Sequence, residues 1–324
     1  MADTLNLSHD ELREFARTVR KDVILMTATA KSGHPGGPLS AADYTSALVC
    51  NYLRLRSAHP YWEGRDRLVI SNGHCSALNF SLLSRRGYFS PGYLLTFRST
   101  PSRLQGHPNH TKLPGVEIGT GSLGQGLSVA HGMALGAKLR GENDIRVVCN
   151  VGDGELQEGN CWEAIMHAGH RQTDNLIVSV DWNDAQIDGR VHLVKRLDPI
   201  DEKFRAFHWD VRVAAGHNME EVCAAWDWAF ANHGKGKPSV IIFNTVMMKG
   251  AGEKYEDIPG WHGLPPKEEE ALEILHNLGY GFKDIAEARA EYGEPVYDGT
   301  VPPAMSAPWA RVVHAESLKI TAGG

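Results

Sequence analysis

The sequence has little of several features that mark specialised classes of protein. Its 324 residues include only five cysteines, which lie far apart and form neither a CxxC pair nor a Cys/His pair at zinc-binding spacing. An odd number of scattered cysteines is not typical of a secreted, disulfide-bonded domain. We therefore expect reduced thiols and a cytoplasmic location.

Long apolar runs and basic clusters are also missing. No apolar stretch approaches the ~20 residues of a membrane span, and the polar N-terminus does not resemble a signal sequence. The 33 basic and 39 acidic side chains give a formal charge of −6. We expect neither a membrane nor a nucleic-acid partner. What is present is an ordinary globular composition, 42% hydrophobic, long enough for one large or two smaller α/β domains.

Apolar periodicity predicts that helices and strands alternate along the chain. A capping box formed by Ser8 and Glu11 opens a long helix that reaches about Ala30. Further helices are predicted near 40–53, 75–87, 122–140, 157–170, 200–207, 218–233 and 267–278, and strands near 67–70, 145–151, 175–181, 209–214 and 239–246. This alternation predicts an α/β fold with a parallel sheet covered by helices on both faces.

The strongest chemical signal lies at the ends of two consecutive strands. Gly152-Asp153-Gly154 follows one strand, and Asn183 follows the next, thirty residues after Asp153. That spacing is one β-α-β unit, in which both carboxyl ends reach the same edge of the sheet. Carboxylate and amide oxygens suit Mg²⁺, Gly154 allows close approach of an anion, and a carbonyl near Ala185 is a third candidate ligand. The pair predicts a cation and diphosphate site, whereas either residue alone is commonly a turn or a helix cap.

A glycine-rich segment offers a competing interpretation. Gly119, Gly121 and Gly124 match the dinucleotide-binding pattern, and Glu142 follows at about the expected distance. That pattern requires a strand directly before the glycines and an acid at the end of the next strand. Here the preceding LPGVEIG is a weak strand and Glu142 comes before a strand. We favour the diphosphate site over a nicotinamide or flavin site.

Four histidines lie beside glycine or proline in predicted loops rather than on apolar helix faces: His34, His74, His107 and His262. Histidines mounted on loops at the edge of a rigid sheet are suited to binding phosphate or sugar oxygens and to moving protons near neutral pH. For any one of them taken alone, a solvated turn residue is the better explanation. Because four histidines share this setting, we consider them together as candidate functional residues.

Seven motifs, in this order, resemble the N-terminal, diphosphate-binding half of the transketolase family of thiamine diphosphate enzymes. They are KSGHPGGPLS, ISNGHCS, LQGHPN, LPGVEIGTGSLGQGLSVAHGMA, VGDGELQEGNCWEA, DWNDAQIDG and GWHGLP, between positions 31 and 265. The resemblance implies the thiamine-diphosphate-binding fold over residues 1–280, with 281–324 as a C-terminal extension that clamps a partner. It departs from the family at Gly37, where an alanine is usual.

The resemblance also implies site residues, in three groups. The metal ligands would be Asp153, Asn183 and the carbonyl of Ala185, holding Mg²⁺ or, in its place, Ca²⁺ or Mn²⁺. The residues binding the cofactor would be His74, Gly121, Leu123, Asp153, Gly154, Asn183 and His262, with Glu158 in an interface cluster that couples two sites. The catalytic residues, which contact the donor ketose and its developing alkoxide, would be His34, His107 and His262.

The implied activity is transfer of a two-carbon ketol unit from a ketose, phosphorylated or otherwise anionic, to an aldose. In the family, a glutamate on a separate pyrimidine-binding domain activates the cofactor, and these 324 residues do not contain that domain. We therefore expect a second subunit carrying the pyrimidine-binding and C-terminal domains, in an α2β2 assembly.

Three alternative functions are also compatible with the pair Asp153 and Asn183 at the ends of consecutive strands. They are the α subunit of a 2-oxo acid dehydrogenase, a chain related to deoxyxylulose-phosphate synthase, and a non-catalytic regulator that binds the cofactor. The histidine motifs favour transketolase. The sugar stays open among pentose phosphates, a branched sugar phosphate and a sulfosugar.

Overall fold

The architecture is built on a parallel β-sheet. The computed structural model describes residues 4–294. Its strands are β1 (Arg67–Ile70), β2 (Val147–Gly152), β3 (Leu176–Trp182), β4 (Ala185–Gln186), β5 (Gly189–Arg190), β6 (Asp210–Ala215) and β7 (Ser239–Asn244). Five of them form one all-parallel sheet in the order β1-β2-β3-β7-β6. The two-residue strands β4 and β5 pair antiparallel beside it.

Helices connect and cover these strands. The α-helices are α1 (His9–Ala30), α2 (Gly36–Ala47), α3 (Ser76–Arg85), α4 (Gln125–Leu139), α5 (Gly159–His170), α6 (Val191–Val194), α7 (Ile200–Ala206), α8 (Met219–Ala231), α9 (Glu268–Asn277) and α10 (Ile285–Ala290). A π-helical turn, Leu48–Tyr52, extends α2, and 3₁₀ turns lie at Gly73–Cys75, Pro91–Thr96, Glu155–Gln157 and Pro259–Trp261. Within residues 4–294 no helix is both long and apolar enough to cross a bilayer.

The two faces of the sheet carry separate apolar cores. Because successive strand residues point to opposite faces, Val148 and Ile177 pack with residues of α2 and α8, whereas Val147, Cys149 and Val178 pack with α4 and α5. Both faces are buried, as a continuous apolar strand such as β3 requires. The predicted parallel sheet with helices on both faces is confirmed.

The structure differs from the sequence-based elements in particular places. The Ser8–Glu11 capping box is present at the start of α1. Helix α2 begins at Gly36, four residues before the predicted start, because Pro38 lies in the first turn, where a backbone N–H is not needed. Elements as short as β4, β5, α6 and α10 have too few residues to show a period. The segment directly before Gly119, residues 111–118, contains no strand, as expected if the glycine-rich segment is not a dinucleotide-binding fingerprint.

The segment from residue 281 to residue 294 packs against α1. Tyr292 donates its hydroxyl to the buried carboxylate of Asp22, and Glu291 pairs with Lys21 at 2.7 Å. Asp22 also accepts from Ser81 Oγ at 2.6 Å and Arg85 Nε at 2.8 Å. Residues 295–324 of the predicted partner-clamping extension lie outside the described residues, and the boundary at residue 280 stays a prediction.

The Asp22 network yields a stability prediction. We expect Asp22→Asn to lower the free energy of unfolding by about 2 kcal/mol, because it leaves the partly buried guanidinium of Arg85 without its countercharge. The matched control is Glu14→Gln, which breaks an exposed pair with Arg17 and should cost less than about 0.5 kcal/mol. Urea unfolding followed by circular dichroism measures both, and equal losses in the two variants would contradict the assignment.

Candidate active site

The register of β2 and β3 places Asp153 against the loop that follows β3. Gly152 pairs with Asp181, so the next residue, Asp153, lies just beyond the sheet. Its Oδ2 accepts the backbone N–H groups of Asn183 at 3.1 Å and Asp184 at 2.6 Å, and its Oδ1 accepts the N–H of Gly154 at 2.7 Å. The predicted convergence of Asp153 and Asn183 is therefore confirmed.

A hydrogen-bond network fixes the orientation of the Asn183 amide. Ser40 donates its only hydroxyl proton to Asp181 Oδ1 at 2.5 Å, so its oxygen accepts from Asn183 Nδ2 at 3.1 Å. The same nitrogen donates to Asp181 Oδ2 at 3.1 Å. The amide oxygen consequently faces the other way, where it accepts the N–H of Ala185 at 2.9 Å. Ser40 and Asp181 thus orient the proposed ligand, a role that no local sequence pattern indicates.

Buried negative charge accumulates at this edge of the sheet. Asp153 and Asp181 are 3% and 2% exposed, and no lysine or arginine within residues 4–294 forms an ion pair with either. Burial, and then the neighbouring Asp181, raises the pKa of Asp153 well above its ordinary value. Burial raises the pKa of Asp181 to about 6, against the hydrogen bonds from Ser40 and Thr245. Buried carboxylates without a countercharge are costly, so the residues present fit a bound cation.

The donors available to a cation are of mixed type. Within residues 4–294 no three His, Cys, Asp or Glu side chains come together as a metal-binding group. A metal site here would therefore draw on one carboxylate with amide and carbonyl oxygens, for which Asp153, Asn183 and Ala185 are the predicted donors. Such hard oxygen donors suit Mg²⁺ rather than zinc.

A third buried acid, Glu155, ties the surrounding loops together. Its Oε1 accepts from Ser71 Oγ at 2.5 Å and from the N–H of Gly124 at 2.9 Å, and its Oε2 accepts the N–H of Gly152 at 3.1 Å. These contacts join the loop after β1, the glycine-rich loop and the end of β2. Sequence reasoning misses Glu155, because only its tertiary contacts distinguish it from other acids near a helix start.

The glycine-rich loop and the loop after β1 meet backbone to backbone. A Cβ on Gly73 would lie 2.5 Å from the backbone nitrogen of Gly121. Gly121 has a φ of +142°, and a Cβ there would lie 2.8 Å from a ring carbon of His107. Only glycine fits either position. This contact brings His107 to the same edge of the sheet as His74.

The four loop histidines form one cluster. The ring centroids are 5.4 Å apart for His34 and His74, 5.7 Å for His34 and His262, and 4.8 Å for His74 and His262. His107 lies beside them at Gly121. The Nδ1 atoms of His34 and His262 are buried without a hydrogen-bond partner, so each is available to a ligand.

Burial lowers the pKa of every histidine in the cluster. The pKa of His34 falls to about 4, through burial first and then the charges of His262, Arg98 and His107. Burial also lowers the pKa values of His74, His107 and His262. All four rings are therefore neutral at pH 7, when each carries one donor and one acceptor nitrogen.

The remaining predicted residues lie around these two groups. Gly154 lies against Gln186: a Cβ added to Gly154 would be 3.1 Å from the Cβ of Gln186. Leu123 is 36% exposed, and Glu158 is an exposed residue beside Gly124 at the start of α5. The side chains of Leu123 and Glu158 are thus exposed, in contrast to the buried acids Asp153 and Glu155.

The comparisons with known proteins point to one family. The family described as transketolase, thiamine diphosphate binding domain, matches residues 11–319. The 6-deoxy-6-sulfo-D-fructose transketolase subunit SqwG of Clostridium sp. (strain MSTE9) is 38% identical over 242 residues, which are 74% of this chain and 86% of that protein. An apulose-4-phosphate transketolase subunit of Actinobacillus succinogenes is 36% identical over 275 residues, 84% of this chain and 98% of that protein.

Solved structures agree with this match. The transketolase of Campylobacter jejuni superposes with a TM-score of 0.80 at 37% identity, over 88% of this chain and 46% of that one. The chain therefore spans about half the length of that transketolase. These similarities confirm the expected fold and favour transketolase over the 2-oxo acid dehydrogenase and deoxyxylulose-phosphate synthase alternatives. The chain belongs to the transketolase family, of which it is an N-terminal, thiamine diphosphate binding domain.

Proposed function

We propose that this chain is the N-terminal subunit of a two-subunit transketolase, which transfers a two-carbon ketol unit from an anionic ketose to an aldose. The observation that carries the proposal is that, at one edge of the sheet, buried carboxylates with no paired lysine or arginine within residues 4–294 lie near a cluster of neutral histidines. Thiamine diphosphate, when bound, supplies the electron sink on which a carbon–carbon bond can break. The chain's own residues bind and orient the cofactor and the sugar, and they exchange protons with the sugar.

The acidic edge is the proposed cofactor anchor. Asp153, Asn183 and the carbonyl of Ala185 bind Mg²⁺, or Ca²⁺ or Mn²⁺ in its place. The proposed contacts to the diphosphate and the cofactor rings come from His74, Gly154, His262, Gly121 and Leu123. Two observations support this assignment: Asp153 is buried and accepts the N–H of Asn183, and the Asn183 amide turns its oxygen away from Asp181.

The histidine cluster is the proposed sugar-binding and proton-transfer group. His34, His107 and His262 contact the oxygens of the donor ketose. A neutral imidazole can donate to one sugar oxygen while it accepts from another, and it can take up a proton as an alkoxide forms and collapses. The unpartnered Nδ1 atoms of His34 and His262 support this role.

A second polypeptide completes the proposed enzyme. The two relatives covered over 86% and 98% of their length are named as subunits, one for a sulfosugar and one for a sugar phosphate. The partner would carry the pyrimidine-binding and C-terminal domains, in an α2β2 assembly with Glu158 at an interface. Ile187 and Leu193 follow Asn183 in the chain and are 70% and 76% exposed, which is expected of a surface that a partner covers.

A cytoplasmic location belongs to the same proposal, supported by five free, buried cysteines.

The cofactor anchor is tested by Asp153→Ala. We expect thiamine diphosphate, titrated with Mg²⁺ by calorimetry, to bind roughly 100-fold more weakly, because a buried charged ligand is lost. Asp10→Ala, at a 95% exposed carboxylate far along the chain, is the control and should keep wild-type affinity. Circular dichroism checks that both variants fold. Unchanged affinity in Asp153→Ala would refute the anchor and favour a scaffold or regulator.

The need for a partner is tested by reconstitution. Purified chain with thiamine diphosphate and Mg²⁺ should show no ketol transfer, and activity should appear and saturate as a chain carrying the pyrimidine-binding domain is added. Sedimentation of the mixture measures the stoichiometry. Full activity of the single chain would show that the two-subunit proposal is wrong.

The histidine cluster predicts how stability depends on pH. Because the folded pKa of His34 lies below the unfolded value of about 6.5, the unfolded chain binds more protons in acid. This contribution to stability is complete above pH 6.5 and is lost as the pH falls towards 4. His34→Gln should flatten the fall of the unfolding free energy over that range, while the exposed His59→Gln should not. Urea unfolding at several pH values measures this, and equal slopes for all three chains would contradict it.

A further inference from the structure

The residues that orient the Asn183 amide are themselves held by the loop that follows β7. Thr245, the first residue of that loop, donates its hydroxyl to Asp181 Oδ1 at 2.6 Å. Ser40 donates to the same oxygen at 2.5 Å, so Oδ2 stays available to accept from Asn183 Nδ2 at 3.1 Å. The side-chain conformation of Thr245 therefore helps to decide which way the Asn183 amide faces.

The loop that follows β6 contacts Thr245 through Gly216. A Cβ added to Gly216 would lie 2.5 Å from the methyl carbon Cγ2 of Thr245, so only glycine leaves room for that methyl group. A β-branched side chain has few χ1 rotamers. A contact that fixes the methyl group of Thr245 therefore also fixes its hydroxyl, which points to Asp181.

His217, the next residue of the same loop, holds the residue after Thr245. The N–H of Val246 donates to His217 Nε2 at 2.8 Å. That nitrogen is therefore unprotonated, and the ring proton lies on Nδ1, which donates to Asp43 Oδ2 at 2.8 Å. The tautomer of His217 is fixed from both sides of the ring.

A buried ion pair secures Asp43 in turn. Arg20, from α1, contacts the two carboxylate oxygens at 2.9 and 2.7 Å, and its Nε donates to the carbonyl of Leu39 at 3.1 Å. Burial raises the pKa of Asp43, but the charge of Arg20 outweighs burial and holds that pKa well below its usual range. Asp43 is therefore ionised at neutral pH and accepts the Nδ1 proton of His217.

We propose that Gly216 and His217 are positioning residues of the proposed metal site. They hold Thr245 in place, and Thr245 orients Asp181. Through Asp181 they set the direction of the Asn183 amide oxygen. This inference rests on the proposed function for the identity of the cation and the diphosphate that the site binds. Residues that orient a metal ligand from behind commonly change affinity roughly 10–100-fold when they are replaced.

The contact between Gly216 and Thr245 is tested by a double-mutant cycle, in which calorimetry measures binding of thiamine diphosphate with Mg²⁺ to the full chain. Gly216→Ala should weaken binding about tenfold, because the added methyl group displaces the side chain of Thr245. Thr245→Ser keeps the hydroxyl and removes Cγ2, and should weaken binding about threefold because its rotamer is less restricted. In that background Gly216→Ala should add less than about twofold.

The control for this cycle is Gly132→Ala. Gly132 is exposed on α4, and nothing lies within 4 Å of a Cβ added there. Its affinity should equal that of the wild type. An additive cycle, or wild-type affinity in Gly216→Ala, would overturn the proposal.

The hydrogen bond from Val246 is tested with His217→Gln and His217→Phe. The glutamine amide can still accept this N–H, whereas phenylalanine cannot. We expect the Phe variant to bind thiamine diphosphate with Mg²⁺ about tenfold more weakly and the Gln variant about twofold. His59→Phe, at an exposed histidine, should keep wild-type affinity. Equal losses in the two His217 variants, with unchanged circular dichroism, would show that His217 only fills space.

Nitrogen-15 NMR of the metal-free wild-type chain needs neither a variant nor the cofactor. At neutral pH, His217 should show a protonated Nδ1 and an unprotonated Nε2. A proton on Nε2 would overturn the proposal.

The side-chain amide of Asn183 provides a second NMR signal in the metal-free chain. Its resonances should shift in Gly216→Ala and not in Gly132→Ala, and unmoved resonances in Gly216→Ala would contradict the positioning role. Absence of ketol transfer by the reconstituted wild-type enzyme would instead refute the proposed function. The ring and amide resonances would still decide whether Gly216 and His217 position Asn183.

Discussion

The parallel pairing of β2 with β3 is the constraint on which the rest of the site depends. Gly152 lies opposite Asp181, so the carboxylate of Asp153 meets the N–H groups of Asn183 and Asp184. A slip of one residue would turn the side chains of a strand to the other face of the sheet. The apolar cores on both faces prevent that slip, because each is formed by alternate residues of the same strands. The packing of the sheet thereby determines the geometry of the acidic edge.

The acidic edge and the histidine cluster are linked by α2. His34 lies two residues before this helix, and Ser40, near its first turn, contacts both Asp181 and Asn183. One short rigid element therefore sets the distance between the residues proposed to bind the metal and those proposed to bind the sugar. The two regions differ in electrostatics: one gathers buried carboxylates, and the other gathers imidazoles that burial and mutual repulsion keep neutral. An acidic edge suits a cation, whereas neutral imidazoles suit polar groups without charge.

How much of this could be predicted from the sequence depends on the range of the interactions. The alternation of elements, the Ser8–Glu11 capping box and the convergence of Asp153 with Asn183 follow from local periodicity and from the spacing of one β-α-β unit. The roles of Ser40 and Glu155 follow from contacts between residues 141 and 84 positions apart in the chain, which leave no local pattern. His217 is a similar case: nothing in its neighbourhood distinguishes it, yet it bridges Asp43 and the N–H of Val246.

The contact between Gly73 and Gly121 limits how the site can change over evolution. Where two main chains touch directly, there is no side chain to enlarge, shorten or recharge, so mutation cannot adjust the width of the site at that point. A new substrate preference has to arise where side chains still form the walls. On this chain the segment 98–106 is such a place, because the side chains of serines, a threonine and arginines line a cavity beside it.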